Sequence, residues 1–138
     1  MAAAAMNIGG VLIFSAGFTN EALVKADPVV MSNFGLLMIA VWGMAYFAAS
    51  RMCAPKHWLM AVFVIEKLIY VVVWLRWQMG NELGELFEKD LLAGAFYSIY
   101  GVNDFVFMLF FAWVGISEYR GKFEDAKVQC RESTLGIK

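Results

Sequence analysis

Three ionisable side chains interrupt segments of the chain that are otherwise apolar. Glu66 and Lys67 lie in one such segment, and Asp104 lies in the next one. A charged side chain at the centre of a bilayer costs about 2.5–3.5 kcal/mol on insertion scales. Residues of this kind therefore pair with each other, line a wet cavity, lose their charge or take part in transport or catalysis. These three residues are the first candidates for function.

The segments that carry these residues are predicted to be membrane-spanning helices. Of the 138 residues, 62% are hydrophobic and 17% are charged, against about 45–50% and 25% in soluble domains. Four apolar stretches reach the roughly 20 residues that a helix needs to cross a bilayer. They cover about 4–24, 29–50, 58–77 and 92–116. The prediction is an all-α, antiparallel four-helix transmembrane bundle in residues 1–117, followed by a polar tail in residues 118–138.

Short polar connections separate the predicted spans. Asp27 and Pro28 are residue types that suit a helix N-cap and the first helical position, so the second span is expected to begin there. Pro55 is expected to break the helix in a turn over residues 51–57. The third connection, residues 78–90, is acidic and repeats apolar residues at helical spacing. This pattern predicts a short amphipathic helix at the membrane interface.

The distribution of lysine and arginine predicts the orientation of the chain in the membrane. Basic residues concentrate on the side that holds both termini and the turn over 51–57, whereas the opposite side has only Lys25, Arg76 and Lys89. The positive-inside rule then predicts that both termini are cytoplasmic. Cys53 and Cys130 would both face that reducing compartment, and we expect them to be free thiols.

An antiparallel pair made of the third and fourth spans brings Lys67 and Asp104 to a similar depth. Counted from the cytoplasmic ends, their heights differ by only about 4–5 Å at 1.5 Å per residue. We expect an ion pair between them, with Tyr70 and Tyr100 one turn away to bond the remaining donors and acceptors. Glu66 points about 100° away from Lys67 on the helix. Three alternatives stay open for Glu66: it is protonated, it faces a second cavity, or it meets another subunit.

Two asparagines complete the candidate polar site. Asn20, near the end of the first span, is expected to face inward, and Asn103 is placed to hydrogen-bond a neighbouring helix. The single histidine, His57, is expected to lie at the membrane surface rather than to bind a metal. Glu66 and Asp104 lack the Glu-x-x-His partner found in carboxylate metal sites of helical bundles. The sequence therefore predicts no metal site and identifies no cofactor.

Several short motifs follow one another in a characteristic order. They are Gly17-Phe18-Thr19-Asn20, the glycine-rich stretch 35–49, Pro55-Lys56-His57-Trp58, Lys67, and Asn103-Asp104-Phe105. In this pattern the chain resembles a family of uncharacterised small four-span bacterial integral membrane proteins. The resemblance covers most of residues 10–116. It implies the four-helix fold, a bacterial cytoplasmic membrane and a polar set of Asn20, Lys67, Asn103 and Asp104, but no activity. The chain departs from the pattern at Glu66, where the family pattern has glycine.

Three functions remain open at this point. We place first a non-enzymatic membrane protein, either an accessory subunit of a larger complex or a homo-oligomer, holding a lipid-like or other hydrophobic molecule. The rows of glycine suit close helix packing, and the abundant methionine and aromatic residues suit an adaptable apolar groove. The second is a proton-coupled transporter that uses the buried carboxyls Glu66 and Asp104 as protonatable sites. The third is an isomerase of a hydrophobic substrate that uses the same two residues as acid and base. A net charge of −1 without a basic stripe argues against nucleic acid.

Overall fold

The structure, a computed structural model, describes the backbone of residues 1–52 and 56–135 and the side chains of residues 1–52 and 56–121. These residues form helices and no strand, which confirms the all-α class. The helices are α1 (Ala2–Phe14), α2 (Glu21–Ala26), α3 (Asn33–Ser50), α4 (His57–Gly80), α5 (Leu83–Lys89) and α6 (Leu91–Leu135). Within the described residues, three apolar helical stretches are long enough to cross a membrane: Asn33–Ser50, His57–Gly80 and Leu91–Gly121.

The first predicted span is not one continuous helix. α1 ends at Phe14, and Ala16, Gly17 and Phe18 follow with φ angles of 48°, 67° and 71°. Glycine adopts this left-handed region freely, whereas other residues do so at about 1–2 kcal/mol each. The Ser15 hydroxyl accepts a hydrogen bond from the Phe18 N–H at 2.9 Å and closes the turn. Apolar composition indicated the length of this segment but not the break within it.

The second span begins later than predicted. The Asp27 carboxylate accepts from the backbone N–H groups of Val29 and Val30 at 3.1 and 2.9 Å, which caps a separate turn. α3 begins only after Ser32, whose hydroxyl accepts from the Gly35 N–H at 3.1 Å. The prediction that Asp27 is the N-cap of the second span was wrong, because the chain uses two capping residues in succession and the second one starts the helix.

The remaining connections follow the sequence more closely. α5 is the short helix predicted within residues 78–90. α6 continues to Leu135, so most of the residues assigned to a polar tail prolong the last helix. Pro55 and Cys53 lie outside the described residues, as does the side chain of Cys130.

Gly43 and Gly101 are among the glycines at which the helices approach closely. At Gly43 of α3, an added Cβ would lie 2.6 Å from Ile8 Cγ1 and 3.3 Å from the Ala4 carbonyl oxygen of α1. At Gly101 of α6, an added Cβ would lie 2.0 Å from the indole ring of Trp74 on α4. The glycines of the first segment were expected to pack in the same way. An added Cβ on them would meet nothing within 4 Å.

Two apolar clusters fill the bundle, and a polar layer separates them. One cluster joins α1, α2, α3, α4, α5 and α6 around the buried side chains of Leu23, Leu36 and Tyr97. The other joins α1, α3, α4 and α6 around Phe63 and Phe111. The buried polar side chains of the layer come from α1, α4 and α6 and are those of Asn7, Glu66, Lys67 and Asp104.

Candidate functional site

Lys67 is the centre of the polar layer. Its Nζ lies 2.7 Å from Oδ1 of Asp104 on α6, in the ion pair that the antiparallel hairpin predicts. It also donates to Oδ1 of Asn7 on α1 at 3.2 Å. Lys67 is 1% exposed and Asp104 is 6% exposed, so water does not screen this pair. Because Asn103 Nδ2 donates to the same Asp104 oxygen at 3.3 Å, the carboxylate is held by two donors.

Glu66 is bonded to a helix that sequence reasoning did not assign to it. The Tyr46 hydroxyl of α3 donates a hydrogen bond to Glu66 Oε2. Glu66 Oε1 lies 3.8 Å from Lys67 Nζ and has no hydrogen-bond partner among the described residues. The expectation that helix geometry separates Glu66 from Lys67 holds for hydrogen bonding. The two charged groups nevertheless attract each other, because a separation of 3.8 Å between Lys67 Nζ and Glu66 Oε1 is well within the range of Coulomb attraction.

Asn7 and Tyr46 are site residues that sequence reasoning missed. Asn7 is the one polar residue inside the apolar stretch of α1, and its Nδ2 also donates to the Ile39 carbonyl of α3 at 3.2 Å. A single polar residue within an apolar run could have identified Asn7 as a candidate site residue from the sequence. Tyr46 gave no such signal, since a tyrosine among the aromatic residues of α3 is equally compatible with lipid contact. Its ring lies 5.2 Å from Lys67 Nζ in a cation–π contact.

A small cavity lies beside the charged cluster. Its volume is about 40 Å³, and its walls include Glu66, Lys67 and Asp104 with Tyr70 and Tyr100. That volume suits water, which needs roughly 10–15 Å³, but falls far below the roughly 300–1,000 Å³ of ligand pockets. The two predicted tyrosines do not bond the ion pair. Tyr70 makes only a ring contact with Lys67 at 6.0 Å, and the Tyr100 hydroxyl has no hydrogen-bond partner among the described residues.

Asn20 lies apart from the charged cluster. It is the N-cap of α2, where its Oδ1 accepts from the Leu23 N–H at 3.1 Å. Its Nδ2 donates to the Phe14 carbonyl at 3.2 Å and to Asp90 Oδ1 at 3.0 Å. The Ala93 N–H and the Asn20 amide both donate to Asp90 and hold its pKa below the ordinary value of 3.8. Asn20 therefore connects helix ends and does not take part in the buried site.

A larger apolar groove runs between α3 and α4. Its volume is about 470 Å³, and nearly all of its lining side chains are aliphatic or aromatic. They include Val30, Phe34, Met38, Trp42, Val62, Ile65, Ile69 and Val73. The polar exceptions are Glu66 and Tyr70, which lie on the walls of both this groove and the small cavity.

No grouping of metal ligands accompanies these two spaces. In the part of the chain that the structure describes, no three histidine, cysteine, aspartate or glutamate side chains come together. His57 lies at the start of α4, between the rings of Trp58 and Tyr119 at 5.5 and 6.0 Å. Comparisons with family models, with curated proteins and with solved structures gave no match.

Proposed function

We propose that this chain is a four-span membrane protein that binds a lipid-like hydrophobic molecule in the groove between α3 and α4. It acts by binding rather than by catalysis, alone as a homo-oligomer or as a subunit of a membrane complex. The groove is the observation that carries the proposal. It combines a volume of about 470 Å³ with an almost wholly apolar lining, as sites for hydrophobic ligands do.

The path of the first segment supports four crossings. At one end of the bundle, Ser50 Oγ at the end of α3 lies 3.1 Å from Met1 Sδ. At the other end, Trp77 Nε1 near the end of α4 donates to the Ala26 carbonyl at 2.9 Å. α1, the turn and α2 together therefore cover the height of the longer helices. A broken helix is tolerated at membrane depth where protein surrounds it. The basic residues favour cytoplasmic termini.

The outer surface supports a lipid environment. Large apolar side chains are exposed along α3, α4 and α6, among them Phe47, Leu68 and Val106 at 44%, 46% and 57%. Exposed apolar patches of more than a few hundred Å² are rare in soluble monomers. A hydrophobic ligand can therefore enter the groove sideways from the bilayer without crossing water.

The structure gives less support to an isomerase than to a proton-coupled carrier. An isomerase needs both carboxyls on one pocket that admits a substrate, and the space that Glu66 and Asp104 share is only about 40 Å³. A proton-coupled carrier is the second candidate, because Glu66 lies on the walls of both the groove and the cavity. That candidate predicts proton uptake into proteoliposomes that is lost in Glu66→Gln and retained in Glu85→Gln.

Native mass spectrometry of the chain purified from its membrane tests the binding function. Two neighbouring residues of α4 form a matched pair of variants. Ile69 lines the groove and is 57% exposed, whereas Leu68 is 46% exposed and lies outside the groove. Ile69→Trp places a bulky ring in the groove without touching the core, and Leu68→Trp adds the same ring on the lipid-facing surface.

We expect the unaltered chain and Leu68→Trp to retain a hydrophobic molecule at constant stoichiometry, and Ile69→Trp to lose most of it. The same spectra give the number of copies and any partner subunit. Equal retention by the two variants would show that the molecule binds elsewhere. A lone monomer that carries no molecule in any of the three samples would overturn the proposed function.

A further inference from the structure

The charges of the polar layer do not balance. Glu66 and Asp104 supply two carboxyls, and Lys67 supplies one ammonium group. The polar side chains that contact these residues from α1 and α3, those of Asn7 and Tyr46, are uncharged. With all three ionisable groups charged, the layer carries one net negative charge in the middle of the bundle.

An unbalanced charge at this position is unfavourable. Glu66 is 5% exposed, Lys67 is 1% exposed and Asp104 is 6% exposed, so bulk water does not stabilise the excess charge. Buried ionisable groups in apolar surroundings change protonation rather than remain charged without a partner. One bound proton makes the three groups neutral as a set.

The contacts identify the carboxyl that holds this proton. Asp104 lies 2.7 Å from Lys67 Nζ and also accepts from Asn103, whereas Glu66 lies 3.8 Å from the same ammonium. Because Coulomb energy falls as 1/r, Lys67 attracts the nearer carboxylate about 1.4 times more strongly at equal dielectric constant. A charge on Asp104 is therefore stabilised more than a charge on Glu66.

We propose that Glu66 is a proton-binding site, so that one ion pair, Lys67–Asp104, and one neutral carboxyl make up the buried cluster. Binding joins a proton from water to a carboxylate oxygen and breaks no other bond. The hydrogen bond to Tyr46 persists in either state, since a hydroxyl can donate to a carboxylate or accept from a carboxylic acid. This inference is independent of what the groove binds.

The cluster also provides for the release of the proton. When Glu66 loses it, Lys67 Nζ has a second carboxylate at 3.8 Å and needs only a small shift of its flexible stem to reach it. The cavity of about 40 Å³ touches both carboxyls and gives water a place to receive the proton. Lys67 thus has two alternative partners, Asp104 and Glu66, and protonation of Glu66 selects the first.

Infrared spectroscopy of the full chain in lipid nanodiscs at neutral pH tests the proposal. A protonated carboxyl has a carbonyl stretch that ionised carboxylates lack. We expect a signal equal to one protonated carboxyl per chain. Glu66→Gln should abolish it, and Asp104→Asn should abolish it as well, because Glu66 then ionises and pairs with Lys67. Lys67→Met should raise it towards two, since both carboxyls then lack a cation.

In the unaltered chain, carbon-13 labelling of the glutamate side-chain carboxyls should shift the band, whereas labelling of the aspartate carboxyls should not. A band that shifts only with labelled aspartate would place the proton on Asp104 and overturn the proposal.

A matched control uses an exposed carboxyl. Glu85 of α5 pairs with Lys89 at 3.3 Å and its side chain is 64% exposed, so Glu85→Gln should leave the signal unchanged. The proposal is overturned if the unaltered chain has no protonated-carboxyl signal, or if the signal survives Glu66→Gln. Loss in Glu66→Gln with retention in Asp104→Asn supports the proton on Glu66 but removes the alternation of Lys67 between two partners. Because Glu66→Gln is isosteric and uncharged, the test does not depend on whether Lys67→Met folds.

Discussion

Asn20 and Asp90 lie 70 residues apart in the chain, yet Asn20 Nδ2 donates to Asp90 Oδ1 at 3.0 Å. Each residue also caps a helix: Asn20 accepts from the Leu23 N–H of α2, and Asp90 accepts from the Ala93 N–H of α6 at 2.7 Å. Since Asn20 also donates to the last carbonyl of α1, one amide joins three helix ends. These bonds satisfy backbone groups that helix ends otherwise leave unpaired.

Replacing Asn20 should therefore lower the free energy of unfolding by more than the loss of an ordinary helix cap does. Asn20→Ala removes the bonds to Phe14, Leu23 and Asp90 together, and we expect the free energy of unfolding to fall by about 1–2 kcal/mol. Reversible unfolding in mixed sodium dodecyl sulfate micelles measures the change. Thr19→Val is the matched control, because the Thr19 hydroxyl is exposed and bonds only the Ala16 carbonyl. Equal losses in the two variants would mean that the bonds of Asn20 add nothing.

The lowered pKa of Asp90 predicts how this junction responds to acid. Its cause is first the hydrogen bond from the Ala93 N–H and then the bond from Asn20. A carboxyl whose pKa is lower in the folded state stabilises the fold above its unfolded value of about 3.8 and loses that contribution as the pH falls below it. We expect Asp90→Asn to flatten the fall in stability below about pH 4. A slope unaffected by Asp90→Asn would contradict the linkage.

The charged cluster shows how much of the site the sequence could predict. The Lys67–Asp104 pair followed from helix rise alone, because two adjacent antiparallel helices fix the relative heights of their residues. The contacts of Asn7 and Tyr46 did not follow, since they require knowing which helices are neighbours and how each is rotated. Sequence reasoning also did not show that Asn20 lies apart from this cluster, for a related reason. The turn after Phe14 redirects the chain, so Asn20 begins a new helix.

The left-handed backbone of residues 16–18 explains why the sequence did not predict the turn after Phe14. Only Gly17 among the three left-handed residues is a type that favours positive φ. Ala16 and Phe18 adopt it because tertiary packing outweighs a cost of about 1–2 kcal/mol each. Phe18 packs against the apolar cluster around Tyr97, which offsets part of that cost.

Strain at Ala16 predicts opposite effects of one substitution at two positions. Ala16→Gly relieves the positive φ of 48° and should raise the free energy of unfolding by up to about 1 kcal/mol. Ala5→Gly, at an exposed position inside α1, should lower it by about 1 kcal/mol, because glycine is a poor helix former. Chemical unfolding in the same micelles compares the two variants directly. A loss of stability in both would argue against left-handed strain at Ala16.

The contacts of Lys67 predict that removing the lysine destabilises the fold more than removing its partner Asp104 does. Lys67→Met leaves two buried carboxyls without a cation, and breaking a buried pair in this way costs about 3–5 kcal/mol. Asp104→Leu should cost less, because Glu66 Oε1 already lies 3.8 Å from Lys67 Nζ and can replace the lost partner. The double variant Lys67→Met/Asp104→Leu should be more stable than Lys67→Met, because it leaves one unpaired carboxyl instead of two. Unfolding of all four chains completes the cycle. If Asp104→Leu costs as much as Lys67→Met, Glu66 is not a second partner for the lysine, and the two buried carboxyls act separately.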